Sequence, residues 1–449
     1  MKTKLIGVAL ALGLAAMPLA SFAAGVGGGN ANSSWTIYGW QNWSLNYNEF
    51  DTTSLDPSGF RERNSIKMEN EAANLGFAAS IDTGVSVAGT AVKANFQCEQ
   101  FTFFNRFSDA AFNNWCSRNS KLGLSGPWGE VMFSAWLTPY NEITAQWIDP
   151  FYDAGQHTHS TLMGLGGFGQ AYGNGGFDAA GIGNQGFMRR KPEMYQWFSP
   201  NWNGLNFRVG WSNHTVAGGN DEVEVIDGTG AVSEHDPTLL SIGAAYTKAL
   251  GNDEIWFGFG YQQHDEWAAV DFACEDSDDD TWRIATRYIH DWGNGHNTRI
   301  SLAYEEMSWE WDNCAGGVGI TASAGPFDFG QNATGSVDVE RDVWLVSGKH
   351  DFPGPLDFRF MYQSADDFDC GGGSVTAGFD CNGISESSSG ADALSLGLYY
   401  TMPAGTELRL VWGEVDNDRN SANGFGILSN GIVQGGEEEN WQLGVVQWF

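Results

Sequence analysis

From Trp35 to Asn48 apolar and polar side chains alternate: Trp35, Ile37, Gly39, Trp43, Leu45 and Tyr47 interleave with Thr36, Tyr38, Asn42, Ser44, Asn46 and Asn48. A period of two gives a strand two unlike faces, one suited to lipid and one to water. The rhythm returns in Leu75, Phe77, Ala79 and Ile81, in Leu205, Phe207, Val209 and Trp211, and in Leu240, Ile242, Ala244 and Tyr246. It continues through Ile255, Phe257, Phe259 and Tyr261, then Leu356, Phe358, Phe360 and Tyr362, then Leu394, Leu396, Leu398 and Tyr400, and Leu408, Leu410 and Trp412. About sixteen such segments, ending on the aromatic Phe449, predict an all-β fold, a closed transmembrane antiparallel β-barrel of an outer membrane.

The connections fall into two classes. Short ones carry turn chemistry, as in Gly126-Pro127-Trp128-Gly129, Gly251-Asn252-Asp253, Gly293-Asn294-Gly295 and Pro403-Ala404-Gly405. Long polar ones run roughly over 50–70, 99–115, 140–191, 217–236, 267–280, 312–338, 369–391 and 417–439. Outer-membrane barrels place short turns in the periplasm and long loops outside, so this sorting also sets the orientation.

The N-terminus is consistent with export. Lys2 and Lys4 precede a short apolar run, and Ser21-Phe22-Ala23 offers small residues for cleavage, which predicts a signal peptide over 1–23 and one barrel domain over 24–449. No later apolar run is long enough to span as a helix. Aromatics make up 14% of the chain, as interfacial girdles would require, and the formal charge is -33. Removing the leader lysines makes it more negative still. That excess repels phosphates and excludes nucleic acid as a partner. It reads either as adaptation to a salty habitat or as a cation-attracting vestibule.

A set of short motifs adds a resemblance. In chain order they are Thr36-Ile37-Tyr38-Gly39, Leu75-Gly76-Phe77, Lys93-Ala94-Asn95-Phe96-Gln97-Cys98-Glu99, Ser117-Arg118-Asn119-Ser120 with Gly123-Leu124-Ser125-Gly126, Thr138-Pro139-Tyr140, Ser199-Pro200-Asn201 with Gly204, and Leu443-Gly444-Val445 before Phe449. Together they resemble the general, trimeric porins of Gram-negative bacteria. The resemblance implies a water-filled barrel of about sixteen strands, a homotrimer, whose long third loop folds into the lumen at mid-height. It further implies that Phe449 is read by the barrel-assembly machinery. The expected partners are small hydrophilic solutes and ions, outer-membrane lipid and lipopolysaccharide.

In such a channel, loop carboxylates face basic groups on the wall. Loop candidates are Glu142, Asp149, Asp153 and Asp178; wall candidates are Lys93, Arg118 and Arg190, with Arg208, Arg283 and Arg359 on later strands. The glycine runs within 140–191 suit tight bending in a crowded lumen, preferred over a flexible surface loop because a structureless connection of this length is unusual. Asn74, Ala135, Gln196 and Val446 stand where the family often carries basic residues. Fewer wall cations argue for a cation-preferring or weakly selective pore, and Trp136 and Trp197 allow one that stacks neutral sugars.

Six cysteines in an oxidising compartment favour disulfides, and the local pairings join Cys98 with Cys116, Cys274 with Cys314 and Cys370 with Cys381. No metal or cofactor is expected: the cysteines lack ligand spacing, and His157-Thr158-His159 and Glu275 to Asp280 match no fixed ligand pattern. The latter stretch reads as a solvated loop or a weak divalent site shared with lipopolysaccharide. Neither a phosphate loop nor a nucleophile elbow occurs, so the chain is not read as an enzyme. An outer-membrane enzyme and an adhesive barrel with a plugged lumen are the rival classes.

Overall fold

The computed structural model describes residues 26–30, 33–51, 62–70, 73–102, 115–116, 118–152, 157–164, 187, 190–213, 223–226, 232–235, 237–266, 276–314, 335–371, 388–403, 405–419, 421, 424–425 and 435–449. The barrel strands are β1 (Ser33–Asp51), β2 (Glu62–Asn70 and Asn74–Val87), β3 (Thr90–Phe101), β4 (Ser120–Gly126), β5 (Gly129–Leu137), β6 (Arg190–Phe198), β7 (Leu205–Ser212) and β8 (Thr238–Leu250). They continue as β9 (Asp253–Asp265), β10 (Asp276–Gly293), β11 (His296–Cys314), β12 (Gly335–Asp351), β13 (Leu356–Ala365), β14 (Ala391–Thr401), β15 (Thr406–Asn417) and β16 (Glu437–Trp448). Each pairs antiparallel with its neighbours in sequence, and β16 returns to β1 in a register running from Trp40 opposite Trp448 to Asp51 opposite Glu437. The sheet therefore closes as a sixteen-stranded barrel, as the alternation predicted.

The turns explain the tight joints. Ala88 and Gly89 between β2 and β3, and Asn294 and Gly295 between β10 and β11, all have positive φ, the conformation that a right-twisted two-residue hairpin needs. Large apolar side chains such as Phe257, Ile284, Leu302, Leu398, Leu410 and Leu443 are exposed on one face, the band that lipid covers. Near the long-loop rim the band ends in aromatic contacts: Trp282 to Tyr304 at 5.2 Å, Tyr304 to Trp344 at 4.5 Å, and Trp412 to Trp441 at 6.4 Å.

The seam is closed by the last residue. Gly39 and Phe449 exchange both backbone hydrogen bonds at 3.0 Å. The Phe449 ring lies over Gly39, where an added Cβ would stand 2.7 Å from it. Beyond Phe449 the free edge of β1 is taken up by a short N-terminal strand, Val26–Asn30, paired with residues 33–37.

Several boundaries differ from the sequence reading. The stretch 62–70, assigned to a loop, is the first half of β2 and pairs with β1 from Asp51 opposite Glu62 to Trp43 opposite Asn70. It is polar overall, yet Ile66 and Met68 keep the alternation and remain exposed. The 217–236 connection carries a hairpin of Val223–Ile226 with Val232–His235, outside the barrel sheet. Strands β10 to β12 likewise run on past the aromatic row into acidic sequence, because ladder hydrogen bonds do not require an apolar face.

Cys98 and Cys116 form a disulfide that closes the β3–β4 connection over a separation of 18 residues. Cys274 and Cys381 lie outside the described residues; Cys314 ends β11, and Cys370 lies in the short strand Asp369–Gly371 beside β12. Replacing Cys98 and Cys116 with Ser should lower unfolding stability by about 3 kcal/mol, the cost of reopening a loop of this size in the denatured chain. Denaturant titration in detergent, with and without reductant, measures it.

Candidate channel site

After β5 the chain does not run straight to β6. Thr138 stands just before a helix, α1 (Pro139–Ile148), that begins with Pro at a position needing no backbone donor and carries Glu142 in its first turn, where the helix dipole favours an anion. The helix lies on a floor of glycines. An added Cβ at Gly210 would stand 2.9 Å from Pro139, at Gly243 2.6 Å from Ile143, and at Gly260 2.9 Å from Tyr140. All three alternate with exposed residues of β7, β8 and β9, so they belong to the inner face.

Polar contacts fix the helix to that face. The Tyr140 amide donates to Ser241 Oγ at 2.9 Å, and Arg208 pairs with Glu142 at 2.6 Å. Arg283 donates to the Tyr140 hydroxyl (2.8 Å), to Thr144 Oγ1 (3.1 Å) and to Glu305 (2.9 Å). Trp136 Nε1 donates to Glu142 at 2.8 Å. Further along, Trp147 stacks on Trp256 at 5.6 Å with Arg287 4.4 Å over its ring. Arg359 donates to the Pro150 carbonyl at 3.0 Å while pairing with Asp357 and Glu407. Residues 157–164 then meet β11, β13, β14 and β16: Gly164 donates to Glu305, Gln363 bonds Thr158 and Leu162, and His157 bonds Ser395 and Asn440.

This docking changes the chemistry expected of the inner face. On β9 to β13 it is not uniformly polar: Trp256, Met307, Val343, Leu345 and Met361 join Ile143, Ile148, Phe151, Leu162 and Met163 in one buried apolar cluster. The segment shields that wall from water, so apolar side chains are stable there. Burial also explains the charge pairing, since a carboxylate such as Glu305 is tolerated out of water only with donors around it.

The candidate charges do not converge on one place. Glu142 faces Arg208 across the helix–wall contact. Asp149 is turned back onto its own segment, accepting from the Phe151 and His159 amides at 2.7 and 2.8 Å and bonding His159 Nδ1 at 2.7 Å. Arg118 pairs with Glu99 and stacks over Trp40 at 4.8 Å and Phe101 at 5.7 Å, so its partners belong to β1 and β3. Lys93 is half-buried on β3 opposite Asp82. Arg190 opens β6 opposite Leu137 in the ladder, and Asp153 and Asp178 lie outside the described residues.

Several inner-face residues escaped the sequence reading. Arg287, Arg299, Arg341 and Arg409 all alternate with the exposed band of β10, β11, β12 and β15, so the wall keeps cations on strands other than those where Asn74, Gln196 and Val446 replace them. The signal was available: Arg409 stands between the outward pair Leu408 and Leu410. Ala135 and Trp197 are corrected in the opposite sense. They alternate with the buried inner residues Trp136 and Gln196, and Trp197 lies 6.3 Å from Trp202 on the outer face, so it cannot stack a solute in the channel.

A closed antiparallel barrel with an apolar exterior, aromatic rows and a charged inner face is an outer-membrane channel, spanning that membrane with many strands. A family model for Gram-negative porins matches residues 10–421, and the chain belongs to that family. Among solved structures it is similar to an anion-selective porin from Comamonas acidovorans, at 18% identity over 93% of this chain and 100% of that one, with a TM-score of 0.60. It is also similar to OmpT, an outer membrane protein of Vibrio cholerae, at 11% identity over 94% and 99% of the two chains and a TM-score of 0.51. The outer membrane channel DcaP of Acinetobacter baumannii matches at 12% identity over 94% and 99%, with a TM-score of 0.50. At these identities the likeness is one of fold. No curated protein matches the chain.

Proposed function

We propose that the protein is a passive diffusion channel for small hydrophilic solutes and ions, narrowed by residues 139–152 and 157–164 and weakly cation-preferring. The observation that carries this reading is the docking of α1 and the residues after it along the inner faces of β7 to β16, which reduces the open section that a sixteen-stranded barrel would otherwise leave. Ions crossing that section meet charges that are already paired: Arg208 with Glu142, Arg283 with Glu305, Arg287 with Glu254, and Arg359 with Asp357 and Glu407. Paired walls contribute little net field, so selectivity falls to the acidic excess of the whole chain, -33.

In this reading residues 1–23 direct export, Phe449 is presented to the assembly machinery before the seam closes over it, and the mature barrels associate as homotrimers among lipopolysaccharide. Reversal potentials across a salt gradient test the selectivity. A cation-directed potential at low salt that shrinks at high salt supports it, because exposed charges are screened over a Debye length. An anion-directed potential at low salt would transfer control to the arginines of β10 to β15.

A further inference from the structure

Among the contacts that hold the far part of the docked segment, one imidazole reaches two strands at once. His157 is buried, with Nε2 2.7 Å from Asn440 Oδ1 on β16 and Nδ1 3.1 Å from Ser395 Oγ on β14. The Asn440 side-chain amide donates to Asn48 on β1, which leaves its carbonyl oxygen facing the ring. An oxygen that only accepts requires the proton on Nε2, and Nδ1 then accepts from the Ser395 hydroxyl. The neutral ring is satisfied at both nitrogens.

The wall is shaped for that ring. Gly413 on β15 forms its floor, where an added Cβ would stand 2.6 Å from Nδ1 and 2.7 Å from Phe425. Phe425 lies against the ring at 4.4 Å and Phe151 at 6.4 Å. Around the cradle, burial outweighs the hydrogen bond to Asn440, which by itself favours a second proton on the ring. From β15 comes Arg409, which opposes it. From β16 comes Glu438, which accepts the Phe425 amide at 2.8 Å. From β14 and β1 come the neutral Ser395 and Asn48, and the segment's own Asp149 is engaged with His159. Among the described residues no carboxylate pairs with His157.

We propose that His157 is a proton-released latch, fastening residues 157–164 to β14 and β16 at neutral pH and releasing them on acidification, which alters the open section of the channel. Burial pushes the docked imidazole down to about 4 from its ordinary 6.5. Because the released form binds the extra proton more readily, docking is at full strength above the ordinary value and weakens as the pH falls from about 6.5 toward about 4. Only the electrical consequence rests on the reading of this segment as the constriction.

Two readouts on the refolded full chain separate the two ideas: amide exchange of residues 157–164, corrected for the intrinsic pH dependence, and single-channel conductance, both followed from neutral to acid pH. The wild type should show at least about tenfold faster exchange on acidification, with conductance changing over the same interval. His157→Gln, which keeps a donor toward Asn440 and cannot take a proton, should hold slow exchange throughout. Gly413→Ala, which fills the cradle, should exchange at neutral pH as fast as the acidified wild type. Equal pH profiles in the wild type and His157→Gln would overturn the latch. Faster exchange on acidification with unchanged conductance would leave the latch standing and remove the constriction.

Discussion

Replacing Arg283 with Met is expected to loosen α1 and destabilise the barrel together. The guanidinium is fully buried and joins three groups: the Tyr140 hydroxyl, Thr144 and the Glu305 carboxylate. Its plane also lies 4.6 Å over the Tyr140 ring. Met preserves much of the volume but strands Glu305 out of water, and breaking a buried pair from one side costs about 3 to 5 kcal/mol. Adding Glu305→Gln should recover a large part of the loss, because the leftover charge is then removed. Urea unfolding of both variants in detergent gives the comparison. Additive losses would show that the two side chains do not act as a pair.

Gly243→Val should lift the helix with less effect on the barrel. Gly243 lies opposite Gly260 and Arg208 in the ladder, and its missing Cβ is the space taken by Ile143 and the Pro139 carbonyl. Backbone at 2.8 Å cannot be moved by a rotamer change, so the helix itself must shift. The outer face of β8 is unaffected, and valine suits a strand. Heat-resistant migration on gels should persist while single-channel conductance rises. Unchanged conductance with a stable barrel would mean that α1 does not limit the current.

The face of each strand was legible because period two is a local property: Leu240, Ile242, Ala244 and Tyr246 could be assigned without knowing any neighbour. Strand number and orientation followed from the connections, which are also local. What touches what across the barrel is not local. Tyr140 and Ser241 are 101 residues apart, and His157 and Asn440 are 283 apart. Gly243 and Gly260 acquire a role only once a helix lies on them. His157 was weighed as a metal ligand beside His159, whereas its partners come from β14 and β16. Arg409 is an inner-face charge between the outward Leu408 and Leu410, and its partner Asn42 is 367 residues away. The assignment of 62–70 to a loop failed because composition was given more weight than alternation.

The most direct test of the account is the polymer size that a single channel excludes. Currents through the wild type and Gly243→Val, recorded with graded polyethylene glycols on the long-loop side, report the narrowest section. A smaller cut-off in the wild type than in the variant is the predicted result. The same cut-off in both would contradict the claim that residues 139–152 and 157–164 narrow the channel.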